Sequence, residues 1–314
     1  MSVKGKFVPV MITPFKENKE IDYSQLTALT EFYLKAGAKG LFANCLSSEM
    51  FELSEEERLA ITRHVVEVAG GEVPVVSTGT FGGPIAEQAD FIKKISDTGA
   101  DAVIAITSLL AEESESDEVL DARVFELLEL TGDIHLGFYE CPVPYKRVLS
   151  PEQLQRYVGT GKVVYHKDTS LDIDSVTRKV QLTAGRKFEL YDAYMVNAVA
   201  SQKAGAAGLS CIQGNFVPEL VVWLCENFAE ESQQHTVGVV QKFFVDNMDV
   251  MHNVYPIIAK YFLKKRGFDI GLTTRREVGD FTDQIAADID DLYERYQSLK
   301  AEIGLSDLAF SLPY

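Results

Sequence analysis

Positive charge, cysteine and long apolar runs are all scarce in this sequence. Of 314 residues, 30 are Lys or Arg against 47 Asp or Glu, a formal net charge of −17. Nucleic acid and anionic membrane surfaces would repel such a chain and are excluded as partners. No stretch reaches the ~18 uncharged apolar residues that a membrane-spanning helix needs. The opening residues MSVKGKFVPVMITPF run into a strand-like pattern with no apolar signal region, so a cytoplasmic location is expected. The four cysteines, Cys45, Cys141, Cys211 and Cys225, lie far apart without a C-x-x-C pair, and neither a zinc site nor a disulfide framework is indicated. Three of them fall near the ends of expected strands, which would suit a shared pocket, although buried free cysteines are common packing residues. The five histidines are equally scattered, with no H-E-x-x-H or other ligand spacing, and no metal is expected. No linker or low-complexity tract divides the chain.

What is present is rhythm. At 46% apolar and 25% charged residues the chain can bury a full core, and its length suits one large α/β barrel with an extension; length alone also admits two ordinary domains. Short runs rich in Val, Ile and Phe alternate with longer amphipathic segments, the mark of βα units and a parallel sheet. Strands are expected at 7–12, 40–45, 73–78, 102–107, 135–140, 163–168, 188–192 and 208–212, with helices between them. Ser54 with Glu57 three residues on reads as a helix-capping pair, and Gly37, Gly70 and Gly99 read as helix stops. Eight such units fit an α/β fold of the (β/α)8 TIM-barrel type, whereas a doubly wound sheet seldom sustains eight units so evenly. From Val217 onward the pattern is helical, with amphipathic stretches near 236–251, 254–263 and 281–303. The expected organisation is therefore a barrel over 1–228 and a C-terminal helical extension over 229–314 packed on it.

In such a barrel the chemistry sits at the C-terminal ends of the strands. Strand two runs into Asn44-Cys45-Leu46-Ser47-Ser48-Glu49, a small polar turn whose N–H groups and hydroxyls suit a carboxylate, or else an ordinary βα turn. Strand three ends in Thr78-Gly79-Thr80-Phe81-Gly82-Gly83, which lacks the spacing of a phosphate-binding loop. Strand five ends at Tyr139, with Pro142 behind it: a phenol at the rim, or a tyrosine capping the core. Strand six ends at Lys167. A lysine there is either a solvated rim residue or an interior one, where desolvation lowers its pKa and makes it a nucleophile. Period-two alternation puts Val163, Tyr165 and Lys167 on one face and Val164, His166 and Asp168 on the other, so His166 is not expected to partner Lys167.

These residues resemble the dihydrodipicolinate synthase and N-acetylneuraminate lyase family of class I, Schiff-base aldolases, over nearly the whole chain. Thr13-Pro14-Phe15 is similar to the family's T-P-F, and Glu49 with Leu53-Ser54-Glu55-Glu56 to the end of its G-[TS]-[TS]-G-E…L-[ST]-x-x-E element. Tyr139 with Pro142 is similar to its Y-x-x-P, and Lys167-Asp168-Thr169-Ser170 to its K-[DE]-x-[ST]. Gly208 through Asn215-Phe216-Val217-Pro218 is similar to its G…A-N-x-x-P, with Gly214 in place of the alanine. The resemblance implies that Lys167 attacks the ketone carbon of pyruvate or another 2-oxo acid and that Tyr139 shuttles protons. It further implies that Ser47 and Ser48 hold the carboxylate, with Ser210 and Asp192 as further substrate-binding candidates. No cofactor beyond the lysine imine is implied, and a homo-oligomer, dimer or tetramer, is.

The departures bear on the substrate. Leu46 stands where the synthases carry a proton-relaying hydroxyl, and Leu109 and Leu110 where they carry adjacent tyrosines. The aldehyde-binding arginine of the synthases falls near Pro144, with Lys146 and Arg147 as nearby substitutes. The acidic pair of the sialic acid lyases falls on Met195 and Val196, while Tyr191 and Asp192 sit earlier, at the strand end. A Schiff-base lyase or aldolase with a different aldehyde partner is the expected function. A 2-keto-3-deoxy sugar acid dehydratase using the same imine and a non-catalytic 2-oxo acid-binding barrel are the alternatives.

Overall fold

The computed structural model describes residues 4–306 and 308. Residues 1–3 of the expected barrel, and 307 and 309–314 of the expected extension, lie outside the described residues. Among the described residues, eight strands are present: β1 (Lys6–Phe7), β2 (Leu41–Asn44), β3 (Val75–Thr78), β4 (Ala102–Ile106), β5 (Leu136–Tyr139), β6 (Val163–Asp168), β7 (Glu189–Asp192) and β8 (Gly208–Leu209). Helices α1 (Tyr23–Ala36), α2 (Glu55–Ala69), α3 (Ile85–Ser96), α4 (Asp117–Leu130), α5 (Pro151–Gly159), α6 (Ile173–Thr183), α7 (Ala198–Lys203) and α8 (Pro218–Asn227) alternate with them. The strands form one parallel sheet in the order β1-β8-β7-β6-β5-β4-β3-β2. Its two edges are also bonded to each other, Phe42 N donating to Pro9 O at 3.0 Å and Met11 N to Phe42 O at 3.1 Å. Beyond α8 come α9 (Gln234–Asp246), α10 (Met248–His252), α11 (Ile257–Lys265) and α12 (Asp283–Glu302). None of the described helices is long and apolar enough to cross a membrane.

Local chemistry sets the boundaries. Ser54 Oγ accepts from Glu57 N at 3.2 Å while Ser54 N donates to Glu57 Oε2 at 2.9 Å, the reciprocal cap expected at the start of α2. Ser150 caps α5 in the same way, with Pro151 at its first position where no N–H is needed. Gly37 ends α1 at φ 96°, a conformation glycine adopts without strain.

Three expectations are corrected. The first strand, expected over 7–12, forms a continuous ladder only over Lys6–Phe7; Pro9 has no N–H for it, and beyond that residue a single bridge, Val10 to Phe42, remains. The last, expected over 208–212, stops at Leu209; the chain then coils into a 3-10 turn, Ile212–Asn215, that seats Gly214 on Phe7. A Cβ at Gly214 would lie 1.9 Å from Phe7 Cζ, so only glycine fits. The helix expected over 236–251 breaks at Asn247, whose Nδ2 donates to Phe243 O at 2.6 Å. That side-chain bond competes with the continuing helix.

Apolar side chains gather in layers. One cluster, including Val103, Phe138 and Val163, belongs with residues of α3 to α6 outside the sheet. A second, including Phe42, Ile104, Tyr139, Tyr165 and Tyr191, fills the inside of the curl. The third joins α1, α2 and α8 to α9, α11 and α12. Val163 thus sits outside and Tyr165 inside, contrary to simple alternation. A bulge explains it: Leu136 pairs with Val163 but Gly137 with Tyr165, leaving Val164 as the extra residue. Gly137 makes room for it, since a Cβ there would come 2.8 Å from Tyr165 Cβ.

Candidate active site

A cavity of about 400 Å³ opens at the C-terminal ends of the strands. Lys167 from β6 and Tyr139 from β5 are direct neighbours in register and both line it. Lys167 is only 4% exposed, and its Nζ lies 4.1 Å from the centroid of the Tyr139 ring. Burial lowers the lysine pKa, because the cation loses its hydration; the electrostatic influence of Cys45, Cys141, Cys211 and Asp192 opposes that shift without cancelling it. Three of the four cysteines therefore do surround one site. Burial likewise pushes the Tyr139 phenol well above its ordinary value, so it is a neutral O–H donor.

Below the lysine is an aromatic floor. Phe42 packs edge-on against Tyr139 and Tyr165, at centroid distances of 5.9 and 6.2 Å, and Tyr165 stacks on Tyr191 at 5.0 Å. These rings exclude water from beneath Lys167, which is what keeps its amine desolvated.

The polar turn after β2 divides in role. Ser47 lines the cavity beside Tyr255, and its hydroxyl lies within reach of the Tyr255 phenol, where it helps to lower the phenol's pKa against the larger effect of burial. Tyr255 also accepts from Asn215 Nδ2 at 2.5 Å, and Asn215 Oδ1 accepts from Tyr33 Oη at 2.6 Å. A chain of hydroxyl and amide groups thus reaches Ser47 from α1, although Leu46 stands on the cavity wall where a relay hydroxyl was sought. Ser48 is not on that wall: its hydroxyl donates to Met11 O at 2.6 Å and accepts from Cys45 N at 3.0 Å, which holds the turn in shape. Thr13 fastens the same turn by donating to Ser48 O at 2.8 Å.

Ser210 and Asp192 are also placed away from the cavity wall. Ser210 Oγ accepts from Tyr165 Oη at 3.4 Å within the buried floor. Asp192 pairs in register with Asp168, its Oδ1 accepts from Tyr194 N at 2.9 Å, and burial pushes its carboxyl up to about 7. Strand alternation explains Asp192: Tyr191, one residue earlier, faces the interior.

Behind the sheet lies a buried ionic cluster. Lys179 Nζ of α6 donates to Glu140 Oε1 and Asp168 Oδ2, both at 2.6 Å, and His166 Nε2 is 3.3 Å from Glu140 Oε1. Glu140, His166 and Asp168 are close enough together to resemble metal ligands, but the Lys179 ammonium already bridges the two carboxylates. Glu140 follows Tyr139 and Asp168 follows Lys167, so this cluster pins the strand ends that carry them. Glu140 Oε2 further accepts from Thr169 N at 3.0 Å.

Sequence reasoning missed what the C-terminal helices bring. Met248, His252, Tyr255 and Arg276 all line the cavity. The break at Asn247 turns α10 toward it. Arg276 is held by buried Glu49, whose Oε2 accepts from Arg275 N at 2.6 Å and Arg276 N at 3.0 Å while Lys260 Nζ sits 3.3 Å from Oε1. Two adjacent arginines between helices of an acidic chain were the one signal available in the sequence.

The chain matches the sequence model of the dihydrodipicolinate synthetase family over residues 4–295. It belongs to that family. Among curated relatives, the 4-hydroxy-tetrahydrodipicolinate synthase of Bacillus subtilis (strain 168) is 23% identical over 268 residues, covering 85% of this chain and 91% of its own. The fold is shared with dihydrodipicolinate synthase from Thermotoga maritima, at a TM-score of 0.82 and 21% identity over 95% of this chain and all (100%) of that one. It is shared equally with a prophage protein of the dihydrodipicolinic acid synthase family from E. coli K12, solved in complex with pyruvate. There the TM-score is 0.82 and the identity 19%, over 95% of this chain and 99% of that one. Within the dihydrodipicolinate synthetase family, this member's departures divide between the cavity wall, where Leu46, Lys146 and Met195 lie, and positions off it. Leu110 is fully buried. Arg147 turns away, its guanidinium donating to Glu112 O and Glu115 O at 2.9 Å each. Lys146 remains at the cavity and donates to Thr169 O at 2.8 Å.

Proposed function

We propose that this family member is a Schiff-base-forming lyase or aldolase, acting on pyruvate or another 2-oxo acid with an aldehyde partner other than that of the synthases. The observation that carries the reading is Lys167 itself, buried against the Tyr139 ring at the cavity with its pKa lowered. The scaffold in this reading is a (β/α)8 barrel over 1–228, with the segment from 229 on closing over the strand ends. The uncharged amine adds to the ketone carbon, and the resulting carbinolamine loses water as the Tyr139 O–H protonates the departing hydroxyl. In the cleavage direction, with a 4-hydroxy-2-oxo acid as substrate, the iminium at C2 accepts the electron pair of the C3–C4 bond as the Tyr139 oxygen, which has just given up its proton, takes the proton of the C4 hydroxyl, giving an enamine and a free aldehyde. Reprotonation of the enamine at C3 and hydrolysis return the 2-oxo acid and Lys167. Ser47 is the wall residue assigned to the carboxylate. Ser48, Ser210 and Asp192 are assigned supporting positions behind it. The imine is its own electron sink, so no metal or organic cofactor enters the scheme. Family likeness also supports a cytoplasmic homo-oligomer, dimer or tetramer, whose mass light scattering measures.

Two outcomes check the scheme. Tyr139→Phe is expected to slow turnover by ~10²-fold or more while pyruvate can still be trapped as an imine; unchanged turnover removes Tyr139 from the mechanism. Imine formation needs the neutral amine, so a lowered Lys167 pKa moves the rise of trapping rate with pH below the value of about 10.4 for a free lysine. A pH–rate profile with its midpoint at the free-lysine value would contradict the desolvated site.

A further inference from the structure

We infer that the mouth of the Lys167 cavity is an anion subsite, so that the end of the substrate remote from the imine carries a second carboxylate or a phosphate. The inference rests on the imine reading above and specifies the aldehyde side of that reaction. Its first ground is charge: on a chain of net charge −17, none of the residues lining this cavity is Asp or Glu. Lys146, His252 and Arg276 line it beside Lys167. They converge from the loop after β5, from α10 and from the segment between α11 and α12.

The second ground is unused donor capacity. Among the described residues, the Arg276 guanidinium makes one hydrogen bond, Nη2 to Tyr255 O at 3.4 Å, and guanidinium offers five N–H donors in a planar fork. Glu49 is occupied with the backbone N–H of Arg276 and with Lys260, so it positions the arginine rather than covering its head. Glu52 lies within electrostatic reach of Arg276, but it does not line the cavity, and burial raises its pKa. Lys146 spends one ammonium proton on Thr169 O. His252 Nδ1 donates to Met248 O at 2.6 Å, since a carbonyl can only accept. The third ground is size, because about 400 Å³ exceeds what pyruvate alone would fill.

The test compares matched aldehydes with pyruvate in a condensation assay on the full chain. Succinic semialdehyde and glyceraldehyde 3-phosphate are set against butyraldehyde and glyceraldehyde. At least one anionic aldehyde is expected to exceed its neutral match by ~10-fold or more in kcat/KM, and which one does so distinguishes carboxylate from phosphate. Arg276→Met is expected to lower that ratio by ~10-fold, with Arg276→Lys restoring part of it. Arg147→Gln, off the cavity, keeps the ratio, and raised salt reduces it. If Arg276→Met fails to fold, His252→Gln and Lys146→Met read the same ratio. A chain that traps pyruvate on Lys167 yet favours neutral aldehydes, or an anion preference indifferent to all three residues, overturns the subsite and leaves the imine reading standing. A chain that traps no 2-oxo acid overturns both.

Discussion

Lys167→Ala is expected to reduce turnover by roughly 10³-fold or more, because the proposed scheme loses the group it bonds covalently to substrate and no nearby side chain replaces it. Lys146 lines the same cavity, but it is exposed and fastened to Thr169 O. Lys167→Arg separates nucleophile from charge. A guanidinium keeps the positive charge and never supplies a neutral amine, so the arginine variant is expected to be as inactive as the alanine one. Activity surviving in Lys167→Arg would make the residue an electrostatic binder. Melting temperature separates loss of chemistry from unfolding: Lys167 is a buried amine, its charged form disfavoured by desolvation, and it has no ion-pair partner among the described residues. Lys167→Met is therefore expected to leave Tm unchanged or raise it.

The opposite holds for the other buried lysine behind the same strands. Lys179→Met leaves Glu140 and Asp168 facing each other without their shared ammonium, and removing one partner of such a buried group costs about 3–5 kcal/mol. Burial works against ionisation of Asp168, yet the nearby His166 ring and its bond to Lys179 outweigh it and hold the carboxyl well below the usual range. A depressed carboxyl pKa contributes stability above the unfolded value of about 3.9 that is lost as pH falls through the folded value. In Lys179→Met the ammonium's share of that contribution is gone and only His166 remains beside the two carboxylates, which are driven toward holding a proton. The loss of stability is thus largest near neutral pH and shrinks toward acid pH. Denaturant titrations of both proteins across that range measure it; a penalty independent of pH would mean that packing, not charge, is what Lys179 supplies.

How much of this was legible in the sequence differs between fold and site. Strand β6 and helix α6 fall where periodicity places them, at Val163–Asp168 and Ile173–Thr183, because each is bounded by strong local signals: Gly161 before the strand, Asp172 capping the helix. The short β1 was misjudged because a hydrophobic run does not reveal which N–H groups find partners, and Pro9 has none. Period two put Tyr165 and Lys167 together correctly, but the bulge at Val164 reversed Val163, and a bulge leaves no mark in one strand's pattern. Its sign lay in the partner strand, at Gly137.

Site residues were legible where strand position alone decides orientation, as for Lys167 and Tyr139. They were not where the outcome depends on a bonding partner distant in sequence. Ser47 and Ser48 are chemically identical, and only the fold decides that one meets Tyr255 and the other Met11 O. Arg276 lies 109 positions beyond Lys167 in the numbering, and nothing local connects them; buried Glu49, visible in the sequence as part of a family motif, is what brings that arginine to the cavity.

The central claim is that a 2-oxo acid is held as an imine on Lys167. Incubation with pyruvate and borohydride, followed by peptide mass mapping, tests it most directly: one reduced adduct is predicted, on Lys167 and not on Lys146, Lys179 or Lys260, and it should be absent from Lys167→Arg. An adduct on another lysine, or none on Lys167 with pyruvate or any of a panel of 2-oxo acids, would contradict it.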